Sequence, residues 1–153
     1  MSDQKSDPLA DLYQQVILDH AKRRSGDHEL EHADAEHFER NPTCGDEITV
    51  QLVLSQDGAS VDTLAWHGAG CSISMASASV LSELVQGKPV AEVRGMIDSF
   101  RELMRSRGTI EPDEEVLGDA VAFQGVSKFV MRVKCAMLSW VAAEACLMQA
   151  APA

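Results

Sequence analysis

The sequence predicts an α+β fold, a small antiparallel sheet of about three strands with helices packed on one side. Two alternating runs predict the sheet: Ile48, Val50, Leu52 and Leu54 share one face of residues 47–54, and Val61 to His67 forms a second strand. Ser55-Gln56-Asp57-Gly58-Ala59 between them reads as a turn, so the pair is a hairpin. The other long apolar patterns recur at three and four residues, and they flank the hairpin instead of alternating with strands. At 153 residues, 45% of them apolar, the chain suits one domain spanning 1–153 with its own core, and residues 1–6 and 151–153 are expected to be disordered.

In chain order, Asp7 and Pro8 supply an N-cap and a first helical position. Leu9, Leu12, Tyr13, Val16 and Ile17 then mark a helix over about 8–23, with Lys22, Arg23 and Arg24 at its C-terminal end and a stop near Gly26. Residues 25–37 are polar. His28, His32 and His37 have a spacing that can share a metal ion, but they lie among Asp27, Glu29, Glu31, Asp34 and Glu36 with no helical scaffold, and a solvated loop accounts for them. Glu36 to Arg40 is a candidate third, edge strand. After the hairpin, Gly68 and Gly70 let the backbone come close to whatever Cys71 faces. The helix from Ser72 to Gln86 carries Ile73, Ala76, Val80, Leu81, Leu84 and Val85 on one stripe. Cys71 falls at its N-terminus, where the helix dipole lowers a thiol pKa. Gly87-Lys88-Pro89 ends that element, and Val93, Met96, Ile97, Phe100, Leu103 and Met104 mark the next helix. Residues 109–119 read as acidic and irregular, and 117–126 as a short apolar connector with a helical turn. The last element carries Arg132-Val133-Lys134-Cys135 and then Ala136, Met137, Trp140, Val141, Ala145 and Leu147, a helix running to about Met148.

The formal charge of 13 − 24 = −11 argues against nucleic acid and anionic membrane surfaces, and suits a basic protein partner. No apolar run approaches the ~18 residues of a membrane span. The polar opening Met1-Ser2-Asp3-Gln4-Lys5-Ser6-Asp7 has no signal-peptide core. A cytoplasmic protein is expected, in which thiols stay reduced and cysteines serve as ligands, nucleophiles or core residues.

Asn41-Pro42-Thr43-Cys44-Gly45-Asp46 puts a thiol and a carboxylate two residues apart on a tight loop entering the hairpin. Cys71 lies on the loop leaving it. A hairpin returns the chain to its starting end, so the two can be neighbours although 71 − 44 = 27 positions separate them. Cys135 joins them if the final helix begins alongside. Cys146, within Ala142-Ala143-Glu144-Ala145-Cys146-Leu147, reads as a small core residue. Three thiolates with Asp46 fit a tetrahedral Zn²⁺ site, and thiolates suit an iron–sulfur cluster equally well. On spacing alone, three unrelated buried cysteines remain an open alternative.

These blocks, together with Ser72-Ile73-Ser74-Met75-Ala76-Ser77-Ala78-Ser79 and Gln124-Gly125-Val126-Ser127-Lys128-Phe129, resemble the U-type iron–sulfur assembly family from about Leu9 to about Glu144. Lys134 before the last cysteine and the extra length around Ser99 to Glu115 resemble its SufU branch rather than its IscU branch. The resemblance implies that Cys44, Asp46, Cys71 and Cys135 are zinc ligands, that Cys44 accepts sulfur, and that Arg132 stands beside the site. Val130-Met131 departs from the proline-alanine pair common before that arginine. The implied activity is a zinc-dependent sulfurtransferase fed by a SufS-type cysteine desulfurase and serving downstream iron–sulfur assembly proteins. Two alternatives stay open: a scaffold on which a [2Fe–2S] cluster is built, with zinc occupying the vacant site, and a structural zinc adaptor with no sulfur chemistry.

Overall fold

The computed structural model describes residues 7–151; the expectation for residues 1–6, 152 and 153 lies outside them. The elements run α1 (Pro8–Arg23), β1 (Ala35–Asn41), β2 (Asp46–Leu54), β3 (Val61–Ala69), α2 (Ser72–Val85), α3 (Val90–Arg105), α4 (Glu114–Leu117), a 3-10 segment (Gly118–Lys128) and α5 (Val130–Ala150). The strands form one antiparallel sheet in the order β1-β2-β3, and α5 packs against β1 and β2 while α2 lies beside β3. This is the expected α+β arrangement with helices against the sheet.

The candidate edge strand is real and longer than expected. Its sequence hid it because the residues facing inward include His37 and Glu39, which are half-buried and bonded to each other at 2.8 Å, rather than an apolar row. Asp7 caps α1 by accepting the Leu9 N–H at 3.0 Å. That helix ends at Arg23, as expected, with Arg24 as its C-cap in the left-handed conformation at φ 47°, its N–H returning to the His20 carbonyl two residues before Gly26. Its apolar stripe is only partly used: Tyr13, Ile17 and Ala21 reach the core, whereas Leu9 and Leu12 are exposed.

The core is centred on aromatic rings from three helical segments. Trp140 of α5 stacks on Phe100 of α3 with centroids 4.1 Å apart and planes at 13°, and Phe123 of the 3-10 segment meets Phe100 edge-on at 5.9 Å. Trp140 Nε1 donates to Ser77 Oγ at 2.9 Å, and Ser77 Oγ donates to the Ala136 carbonyl at 2.6 Å, so α2 and α5 are pinned together just below Cys135. The connector expected to hold one helical turn is this 11-residue 3-10 segment, and α5 starts at Val130 rather than near Cys135. Cys135 therefore sits in the second turn of α5, not at an element edge. At the other end Ala151, placed after α5, donates its N–H to the Leu147 carbonyl at 2.8 Å and accepts from Arg94.

Candidate metal centre

The loop Pro42 to Gly45 joins two strands paired through Asn41 and Asp46. Its conformation follows from local bonds: the Thr43 N–H donates to Asn41 Oδ1 at 3.1 Å, and the Gly45 N–H to the Asn41 carbonyl at 2.8 Å. Gly45 at φ 79° makes the turn that lifts Cys44 outward. Asp46, the first residue of β2, is 3% exposed. The β2–β3 hairpin pairs Glu47 with Ala69 and so delivers Cys71 to Asp46, as its return geometry requires. Gly70 is needed there: a Cβ on it would lie 2.7 Å from Asp46 Cγ.

Cys71 is the N-cap of α2. Its N–H donates to Asp46 Oδ1 at 3.1 Å and its thiol to Oδ2 at 3.3 Å, while Ser74 Oγ, one turn into α2, donates to Oδ2. From α5, Cys135 brings its Sγ to 3.7 Å from Cys44 Sγ. One ligand atom each from Cys44, Asp46 and Cys135 lie within 4.8 Å of one another, and Cys71 adjoins them through Asp46. Cys44 is exposed, Cys71 half-buried and Cys135 buried.

The electrostatics favour a cation. Burial pushes the Asp46 carboxyl up, but bonds from Ser74, Cys44 and Cys71 outweigh it and hold the group below the ordinary carboxylate range. Burial, then the neighbouring thiols of Cys44 and Cys71, push Cys135 up to about 12. Alone, these groups cannot all be anions; an ion among them reverses that balance. The donor set fits zinc: two thiolates about 2.3 Å from a tetrahedral Zn²⁺ stand about 3.8 Å apart, against 3.7 Å for Cys44 and Cys135.

Arg132 lies one turn before Cys135 on α5. Among the described residues its guanidinium makes no hydrogen bond; it lines a cleft of about 620 Å³ with Leu9, Tyr13, Ile73 and Phe129. Cys146 is fully buried, its thiol donating to the Val50 carbonyl at 3.3 Å, and burial raises it to about 12, as a core residue should be. His28 and His32 are exposed, and His37 pairs with Glu39. Ser74 carried no expected role. Its spacing of three from Cys71 on a helix start was the available signal, since that spacing puts both side chains over one carboxylate.

An open three-stranded sheet backed by helices carries at one end three thiols and a buried carboxylate, a donor set that could hold a thiophilic ion. The sequence pattern of the NifU-like N terminal domain matches residues 12–136, and the chain belongs to that family. It is 42% identical over 137 residues to the zinc-dependent sulfurtransferase SufU of Bacillus subtilis (strain 168), covering 89% of each chain. It is 36% identical over 132 residues to the iron–sulfur cluster assembly scaffold protein IscU of Streptococcus pyogenes serotype M1, covering 86% of this chain and 80% of that one. The crystal structure of a candidate iron–sulfur cluster assembly scaffold protein for the SUF system from Fervidobacterium islandicum AW-1 superposes with a TM-score of 0.79 at 32% identity, covering 87% and 94% of the two chains. Within the family, the similarity therefore runs to SufU-like and IscU-like proteins of iron–sulfur cluster assembly. Among the described residues, no helix is long and apolar enough to cross a membrane.

Proposed function

We propose that this chain is a zinc-dependent sulfurtransferase in which Cys44 takes the outer sulfur of a persulfide carried by a SufS-type cysteine desulfurase and passes it to downstream iron–sulfur assembly proteins. The observation that carries the reading is the asymmetry of the centre: Cys44 is exposed on a turn, whereas Asp46 and Cys135 are buried and Cys71 is half-buried. Cys44, Asp46, Cys71 and Cys135 would hold the ion. Zinc, when bound, keeps thiolates ionised and their loop ordered without redox chemistry of its own.

The Cys44 thiolate attacks the terminal sulfur of the donor persulfide. A bond forms between Cys44 Sγ and that sulfur, the donor's own sulfur–sulfur bond breaks, and the donor cysteine leaves as thiolate, with no net oxidation. Asp46, fixed by Ser74 and by the Cys71 amide, stays in place while the Cys44 turn moves. Arg132, one turn before Cys135 on α5, would supply a positive charge toward which a persulfide anion is drawn.

The test uses desulfurase and cysteine with three samples. Zinc-loaded protein should raise desulfurase turnover and gain one sulfur on the Cys44 peptide by mass spectrometry. Cys44→Ala and metal-stripped protein should do neither. The cluster-scaffold reading, kept because relatives such as the Streptococcus pyogenes protein are named scaffolds, expects stripped protein to take up sulfur freely and then retain iron. A structural adaptor would stimulate without any sulfur on Cys44.

A further inference from the structure

Away from the cysteine end, His20, Glu83 and Asp119 bring one imidazole nitrogen and two carboxylate oxygens within 4.8 Å of one another. They come from three elements: the last turn of α1, the C-terminal half of α2 and the start of the 3-10 segment. We propose that these residues form a second cation site, for a divalent first-row transition metal such as Zn²⁺, Mn²⁺, Fe²⁺ or Co²⁺, separate from the cysteine centre and independent of the function proposed for it.

His20 has the placement of a preset ligand. Its ring is 1% exposed, and both nitrogens are fixed, Nδ1 at 2.8 Å from Ser79 Oγ and Nε2 at 2.9 Å from Asp119 Oδ2. Ser79 Oγ also accepts the Ser25 N–H at 2.9 Å, so its position is set by the backbone and not by the histidine alone. With Nδ1–H donated to Ser79, the Nε2 lone pair faces Asp119 Oδ2 at 2.9 Å with Glu83 close by, and a proton or a metal ion on Nε2 completes the arrangement; oriented imidazole ligands are held this way. With the opposite tautomer, Nε2–H donates to Asp119 and no ion is needed. The two states differ in where one proton sits, and a metal ion at Nε2 selects the first.

The carboxylates have spare capacity. Glu83 takes Arg23 Nη1 at 2.8 Å and Ser25 Oγ on the same oxygen, Oε2. Among the described residues, Glu83 Oε1 and Asp119 Oδ1 carry no hydrogen bond. Burial pushes the Glu83 carboxyl up, but bonds from Ser25 and Arg23 outweigh it, so the group stays ionised below the ordinary range. A neutral imidazole and two carboxylates balance a charge of +2. Arg23, 49% exposed, can yield to it by turning into solvent. A cavity of about 190 Å³ lined by His20, Val80, Glu83, Leu84 and Asp119 has room for an ion with waters completing its shell. The nitrogen–oxygen donor set, without thiolate, suits borderline divalent ions and not Cu⁺.

The experiment titrates full-length protein, with zinc already in the cysteine centre, with Co²⁺. Cobalt on thiolates shows an intense charge-transfer band, so displacement at the cysteines is distinguished from a nitrogen–oxygen site, which shows weak visible bands alone. One further equivalent with that weak spectrum is expected. Glu83→Gln and Asp119→Asn change side chains 40% and 56% exposed, so the fold is expected to hold. Each should weaken the second equivalent about tenfold or more, with the zinc content of the cysteine centre unchanged. No second equivalent, or one that both variants bind as tightly as wild type, overturns the proposal. A drop in thermal stability of Asp119→Asn with Co²⁺ binding unaltered also overturns it, and leaves His20 as an anchor of α1.

Discussion

Cys44 and Cys135 lie 3.7 Å apart, yet their surroundings assign them opposite behaviour. Cys135 is 2% exposed and its thiol is pushed up to about 12 by burial and by the two neighbouring thiols. A thiol so shifted is almost wholly protonated at pH 8, and only the thiolate alkylates. Cys44 is exposed on its turn. Iodoacetamide at pH 8 should therefore label metal-free protein first at Cys44, about a hundredfold or more faster than at Cys135 or Cys146, as read by peptide mass spectrometry over time. Comparable rates at all positions would mean that the metal-free centre does not keep this arrangement. Loading zinc should slow Cys44 while leaving Cys146 unchanged, because Cys146 owes its inertness to the core and its bond to Val50.

At the scale of elements, the centre is a convergence of a hairpin turn, a hairpin exit and a helix face. Gly70 measures how tight that convergence is. A methyl at its Cα would meet Asp46 Cγ at 2.7 Å and Oδ1 at the same distance, and overpacking of that kind costs about 1–3 kcal/mol. Gly70→Ala should lower the unfolding midpoint and cut zinc content after dialysis, because Asp46 and the Cys71 amide it accepts from must separate. An unchanged zinc content would show that the loop absorbs the methyl elsewhere.

The same elements show what could be read beforehand. Cys44, Asp46 and Cys71 were legible because alternation revealed the β2–β3 hairpin, and a hairpin fixes which residues return to one end. The place of Cys135 was not legible. Phe129, extended at φ −119° and ψ 100°, ends the 3-10 segment and begins α5 without a side-chain cap, so no capping residue marks the start at Val130. β1 was faint because its inward face uses a His–Glu pair in place of an apolar row. His20 gave no signal at all, since its partners Ser79 and Asp119 are 59 and 99 residues away and only the packing of α1 on α2 and the 3-10 segment brings them in.

Over the whole molecule, the cysteine centre is the point where distant parts of the chain meet: Cys44 and Cys135 are 91 residues apart, and Asp46 and Cys71 are 25 apart. An ion held by all four, as proposed, would tie β1, β2, α2 and α5 together at the end of the sheet opposite the β2–β3 turn. Asp46 is also bonded by Ser74 and Cys71, and the aromatic cluster of Phe100, Phe123 and Trp140 lies in the core and draws on none of these four residues. The fold should therefore survive chelation, unlike that of a zinc finger, but lose stability by mass action. Free zinc at a hundred times its dissociation constant adds about 2.7 kcal/mol, and a chain of this size gains about 2–4 °C per kcal/mol. Removing zinc should accordingly lower the unfolding midpoint by about 5–11 °C in a calorimetric scan, with far-ultraviolet circular dichroism preserved below the transition. Cys71→Ser and Cys135→Ser should unfold near the midpoint of the chelated protein whether or not zinc is added, whereas Cys146→Ser should keep its zinc-dependent shift. Collapse of the helical signal on chelation would mean that the ion, and not the aromatic core, holds the fold. A midpoint indifferent to zinc in the wild-type protein would remove these four residues as its ligands.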